Sequence, residues 1–357
     1  MDRTKKKSVF IRNFEAGNYL ENFLVSAVSA ILVIRLFLKL TGYPQISNST
    51  LHIAHLLWGG LLMLVSIIIL LSFLSRGAEH LASILGGIGF GTFIDEVGKF
   101  VTQDNNYFFQ PAVAIMYVTF ILIIIAIRSI EAGRNYSKTE YLMNALREME
   151  EVVLHDMDEE GRKRALSYLD KSDKDNPLVA ALRDILPQTN LTPTSKPSFY
   201  TRTKLSLQNF YYKIVKLRAF SLGIIIFFLA QMLVSLAYAV VLVFFLGLGW
   251  DKILDVKVFD HIANRFDNLS FVDWAELLSS LLSGVFVFIG VFNIHKSRLF
   301  AFQMFERSIL VTIFLTQVFI FYKEQFAALT GLFFNILILI ALRYMIVREQ
   351  TMRMEQA

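Results

Sequence analysis

The residues best suited to chemistry lie in the first third of the chain. His52 and His55 stand three apart in LHIAHLLWGG, which puts both imidazoles on one face if the segment is helical. Asp95, Glu96 and Lys99 follow in GGIGFGTFIDEVGKF, with Asp104 shortly beyond, while Arg35 and Lys39 sit four apart in an earlier apolar stretch. A charge at the centre of a membrane span costs about 2.5–3.5 kcal/mol on insertion scales, so this concentration of ionisable groups calls for a reason. Three chemistries fit it. Carboxylates and histidines can bind or relay a proton or another cation. His52, His55 and Glu96 can hold a divalent metal with one position open to water, the arrangement of metal-assisted hydrolysis or transfer. Or the charges satisfy one another, Asp95 with Lys99 and Glu96 with Arg35, as a structural network.

Apolar stretches carry these residues. The chain has 357 residues, 55% of them hydrophobic and 18% charged, with mean hydropathy +0.52. That excludes a disordered chain, and the absence of cysteine excludes a disulfide scaffold, thiolate ligands and a cysteine nucleophile. Spans of about 20 apolar residues are expected at 20–42, 51–74, 80–101, 111–130, 218–247, 273–294, 299–322 and 325–346. The expected fold is therefore all-α: a polytopic integral membrane protein with about eight transmembrane helices. Residues 1–19 form an N-terminal segment at the inner surface, 20–130 hold spans one to four, 131–217 a helical cytoplasmic insert, 218–346 spans five to eight, and 347–357 a tail.

The basic residues orient the spans. With both termini in the cytoplasm, 26 of the 35 Lys and Arg fall inside, four lie in outer loops and five within spans. The positive-inside rule favours this arrangement over its inverse. It also explains the sequence pI of about 9.2 without nucleic acid, because no basic stripe with interleaved aromatics stands on a soluble domain. The expected location is a membrane crossed many times, with both termini on its cytoplasmic side. Under this topology His52, His55, Arg35, Asp95, Glu96, Lys99 and Asp104 share a depth near the outer surface.

Gly87 and Gly91 repeat at four-residue spacing with Asp95, and Gly59 stands four residues after His55. Small residues at this spacing let helices approach closely, so the second and third helices are expected to touch and to bring the histidines toward the carboxylates. The insert reads as amphipathic helices over TEYLMNALREMEEVVLHDM, DEEGRKRALSYLDKSD and NPLVAALRDIL. It is a hairpin-like body that docks on the membrane helices, on a second copy or on a membrane partner. Residues 201–217 are basic and aromatic and lead as a helix into the fifth span.

The strings LHIAHLLWGGLLM and GGIGFGTFIDEVGKFVTQDNNYFFQPA, with FERS at 305–308 and FLTQ at 314–317, resemble a family of uncharacterised bacterial polytopic membrane proteins. The resemblance implies a prokaryotic inner membrane and carries no activity. From the residues, the expected function is transport or permeation of a proton, ion or small solute through the polar site. The alternatives are a metal-dependent intramembrane enzyme acting on a lipid or lipid-linked substrate, and a structural or assembly subunit.

Overall fold

A computed structural model describes residues 10–41, 47–48, 51–52, 55–101, 109, 111–131, 136–193, 199–217, 220, 222–233, 236 and 270–356. Among these the chain is helical but for one minimal hairpin, β1 (Ser47–Asn48) against β2 (Leu51–His52), with Ser47 opposite His52. Five helices are long and apolar enough to cross a membrane: Ala16–Thr41, His55–Ser72, Ala112–Ile130, Phe271–Asn293 and the run Arg298–Met354.

The described residues divide into two units, one drawn from 1–107 and 119–197, the other from 108–118 and 198–357. In the first, α1 (Ala16–Thr41), α2 (His55–Ser72) and α3 (Arg76–Asp95) form a three-helix layer in which α3 packs on both neighbours. A short α4 (Val97–Val101) follows, and α5 (Ala112–Glu131) contributes its later turns to this unit. Two of these boundaries differ from the sequence reading. The second span was expected from 51, but α2 begins at His55, and Leu51–His52 instead pairs with Ser47–Asn48. The third was expected to run unbroken from 80 to 101. It stops at Asp95 because Glu96 leaves helical geometry (φ −90°, ψ 8°).

Three further helices, α6 (Lys138–Val153), α7 (Glu159–Lys171) and α8 (Pro177–Ile185), follow in the same unit. Each start carries its own cap. Ser137 and Glu140 form a reciprocal capping box, Asp158 accepts from the Gly161 N–H, and Asn176 precedes Pro177 in the first turn. Their apolar faces meet in a small core of Ala145, Met157, Ala165, Leu169, Val179, Leu182 and Leu186.

In the second unit, α9 (Phe199–Val215) and α10 (Leu222–Leu233) precede α11 (Phe271–Asn293), α12 (Arg298–Val311), α13 (Gln317–Glu324) and α14 (Ala328–Gln356). A π turn at Thr312–Thr316 joins α12 to α13. The run from 298 is not straight. Gln325 takes φ 51° and ψ −129°, a reversal a non-glycine residue rarely adopts, and α14 folds back antiparallel on α12. Arg343 meets Glu306 at 2.9 Å and Arg298 meets Glu349 at 3.8 Å, so residues far apart in the run sit side by side. Ser283 Oγ reaches Ser308 Oγ at 2.7 Å and Thr312 Oγ1 at 3.0 Å, joining α11 to the same hairpin. Residues 201–217, read from the sequence as the end of the insert, belong with this unit rather than with α6–α8.

Candidate functional site

Two stripes on α3 build the site. Gly87 and Gly91 face α1, where an added Cβ would collide with the backbone carbonyls of Phe23 and Ala27. One further turn along that stripe is Asp95, and α1 there supplies Arg35. Gly89 and Phe93 face α2 instead. A Cβ on Gly59 would lie 2.7 Å from the Gly89 oxygen and 2.8 Å from the Phe93 nitrogen. One turn further on this second stripe is Glu96, opposite the first residues of α2. The glycines thus draw α3 against two helices at once. The expected pairing of the Gly87–Gly91 stripe with the second helix is corrected: that stripe packs on the first, and Gly89 is what meets Gly59. Residues two apart on a helix point roughly 200° apart, which is why 87 and 89 serve different neighbours.

The side chains close on one another at the end of these stripes. Asp95 and Glu96 are fully buried. Arg35 Nε donates to Asp95 Oδ1 at 2.6 Å, and Arg35 Nη2 donates to the Asp95 carbonyl at 3.2 Å. His55 lies between the carboxylates, its Nε2 3.4 Å from Asp95 Oδ2 and its Nδ1 3.4 Å from Glu96 Oε1. The Leu56 N–H donates to Glu96 Oε2 at 2.9 Å. The expected structural pairing of Glu96 with Arg35 is therefore corrected to Asp95 with Arg35, because Asp95 lies on the α1-facing stripe. The expected helix face shared by His52 and His55 is also corrected, since His52 lies in β2 and His55 opens α2. Asp104 and the side chains of His52 and Lys99 lie outside the described residues.

The backbone explains why charges are tolerated at this spot. The first amides of a helix and its last carbonyls lack intrahelical partners. Glu96 satisfies one such amide at the start of α2, where the helix dipole favours an anion, and Arg35 satisfies one such carbonyl at the end of α3, where it favours a cation. Sequence reasoning missed this double cap. Its only trace in the sequence is the coincidence of a helix start at His55 with a helix end at Asp95.

With neutral imidazole the quartet of Arg35, Asp95, Glu96 and His55 carries one net negative charge; with one added proton it is neutral. Among the described residues no group of three or more His, Asp or Glu is arranged to hold a metal ion; the side chain of His52, expected as a ligand with His55 and Glu96, lies outside them.

Other polar side chains are engaged elsewhere. His80 Nδ1 lies 3.0 Å from Asn22 Nδ2. Asp273 and Glu276 both pair with Lys323, at 2.8 and 2.9 Å. Gln317 Nε2 donates to the Ala328 carbonyl at 2.8 Å, a buried tie across the reversal at Gln325. No protein-family model, curated protein or solved structure matches the chain.

Proposed function

We propose that this chain is a multi-pass membrane protein that moves protons, or an ion or small solute coupled to protons, through the Arg35–His55–Asp95–Glu96 quartet. The observation that carries the reading is His55 set 3.4 Å from each of two fully buried carboxylates on a neighbouring helix. An imidazole so placed can pass a proton from one carboxylate to the other by changing its own protonation. The apolar stretches and the inward bias of Lys and Arg support about eight spans with both termini and the 131–217 insert cytoplasmic, and the motif resemblance supports a prokaryotic inner membrane. The quartet then lies near the outer surface.

The double helix cap favours a second reading, a structural or assembly subunit in which the quartet only fastens α1, α2 and α3. Liposomes holding the purified chain, challenged with a pH gradient, separate the two. Transport predicts gradient dissipation above that of empty liposomes, lost in His55→Asn and Glu96→Gln variants that keep wild-type helicity. A folded wild-type chain that dissipates no gradient, with or without a membrane potential, leaves the structural reading. About one transition metal per purified chain, lost in His52→Ala and in Glu96→Ala, would turn the assignment toward a metal-dependent enzyme acting on a lipid or lipid-linked substrate.

A further inference from the structure

The second unit contains a groove that the quartet does not explain. It has a volume of about 700 Å³ and runs between α9 and α14, lined on one side by Tyr212, Lys213 and Lys216 and on the other by Arg343, Tyr344 and Val347. A smaller groove of about 510 Å³ continues along α9 past Arg202 and Phe210, sharing Lys213. Lys213 and Lys216 are exposed, and among the described residues neither has an ion-pair partner. Arg343 is paired with Glu306 at 2.9 Å and Glu349 with Arg298 at 3.8 Å, so these carboxylates are matched and the lysines leave the groove cationic.

Its surroundings say what kind of anion fits. On α14 the stretch from Ala328 to Val347 holds a single charged residue, Arg343, and the next residues bring Arg348, Glu349 and Arg353. The groove thus sits where an apolar helix turns polar. Aromatic side chains mark the same level. Tyr211 hydrogen-bonds the Leu337 carbonyl, Tyr212 lies 5.7 Å from Tyr344 ring to ring, and Phe210 is largely exposed. Tyrosines gathered at an apolar-to-charged boundary are the signature of a membrane–water interface, and lysines there extend their charge to headgroup level along apolar stems. The wall is therefore apolar on one flank and cationic at the rim, which suits a molecule with an acyl body and a phosphate head better than a free anion.

We propose that this groove is a binding site for an anionic phospholipid, its phosphate held by Lys213 and Lys216 and its acyl chain laid along Val347 and Ile340. The site is distinct from the quartet. It rests on the chain residing in a membrane, which extraction by detergent but not by high salt checks separately.

The test is native mass spectrometry of the detergent-purified full chain with added phosphatidylglycerol, cardiolipin, phosphatidylcholine or inorganic phosphate. The expected result is retention of the anionic lipids over phosphatidylcholine, with a drop of about tenfold or more in Lys213→Gln/Lys216→Gln. Both lysines are exposed, so this variant is expected to fold; Lys163→Gln/Lys171→Gln, at two exposed positions on α7, serves as a charge-matched control and should keep the lipid. Equal retention of phosphatidylcholine, or anionic lipid unaffected by the double variant, overturns the proposal. So does competition by inorganic phosphate at concentrations that leave overall ionic strength unchanged, which would mark a simple anion site.

Discussion

At the scale of single residues, the fully buried Asp95 is an exacting position. Its carboxylate depends on Arg35, whose guanidinium reaches both the side chain and the main-chain carbonyl. Removing one partner of a buried ion pair strands the other and typically costs 3–5 kcal/mol, about as much as replacing both partners can recover. Arg35→Ala should therefore lower the thermal midpoint of the detergent-solubilised chain sharply. Arg35→Ala/Asp95→Leu should regain most of the loss, because no charge is then stranded by the loss of Arg35. A double variant no more stable than Arg35→Ala alone would mean that the guanidinium acts through the Asp95 carbonyl and not through the carboxylate. Glu96→Gln should be milder, since an amide oxygen still accepts from the Leu56 N–H.

At the scale of elements, small residues decide how closely α3 approaches its neighbours. Gly91→Ala would drive a methyl group into the Ala27 backbone, and Gly59→Ala would do the same against Gly89 and Phe93, whereas nothing lies within 4 Å of a Cβ at Gly60. Overpacking against backbone costs about 1–3 kcal/mol or more, while glycine-to-alanine inside an open helix position gains about 1 kcal/mol. The expected order of thermal stability is Gly60→Ala at or above wild type, then wild type, then Gly59→Ala and Gly91→Ala. Comparable losses at all three positions would show that the glycines serve backbone flexibility and not close approach. The same residues show how far the sequence could be read. Four-residue spacing in Gly87–Gly91–Asp95 announced a close helix contact and put Asp95 at its end, and the apolar runs announced the helices. Which neighbour each stripe meets was not legible, because spacing defines a face of a helix and says nothing about the helix opposite. The helix break at Glu96 was likewise hidden, since VGKFV after it has the same apolar pattern as the run before it. The hairpin at 47–52 was missed for a related reason: LHIAHLL is as compatible with a helix as with the short strand its first residues adopt.

At the scale of the whole chain, contacts distant in sequence fasten α6–α8 to the N-terminal helices through charge. Arg76, the first residue of α3, meets Glu148 at 3.1 Å and Glu15 at 3.4 Å and also pairs with Glu151, while Arg147 pairs with Glu79. Burial pushes the Glu151 carboxyl above its ordinary range, with Arg76 acting in the opposite sense. The segment before α1 is held by the same body. Arg12 Nε donates to Glu140 Oε1 at 2.7 Å, the Phe14 N–H donates to Asn144 Oδ1 at 2.9 Å, and the Phe14 ring packs among Tyr136, Tyr141 and Tyr168. Arg12, helped by Ser137 and against the effect of burial, holds the Glu140 carboxyl down to about 2 from an ordinary 4.5. A carboxyl whose folded value lies below its unfolded value stabilises the fold fully above the unfolded value, and that contribution fades as pH falls toward the folded one. Acidification from about 4.5 to about 2 should therefore loosen residues 10–15 from α6. Hydrogen exchange of these residues, measured in the full-length chain across that range and corrected for intrinsic rates, should show protection falling with pH in the wild type. Glu140→Gln should be less protected at neutral pH and lose less on acidification, because its side chain has no proton to gain. Parallel pH profiles in the two proteins would assign the docking to Asn144 and the Phe14 aromatic cluster, with the ion pair contributing nothing measurable.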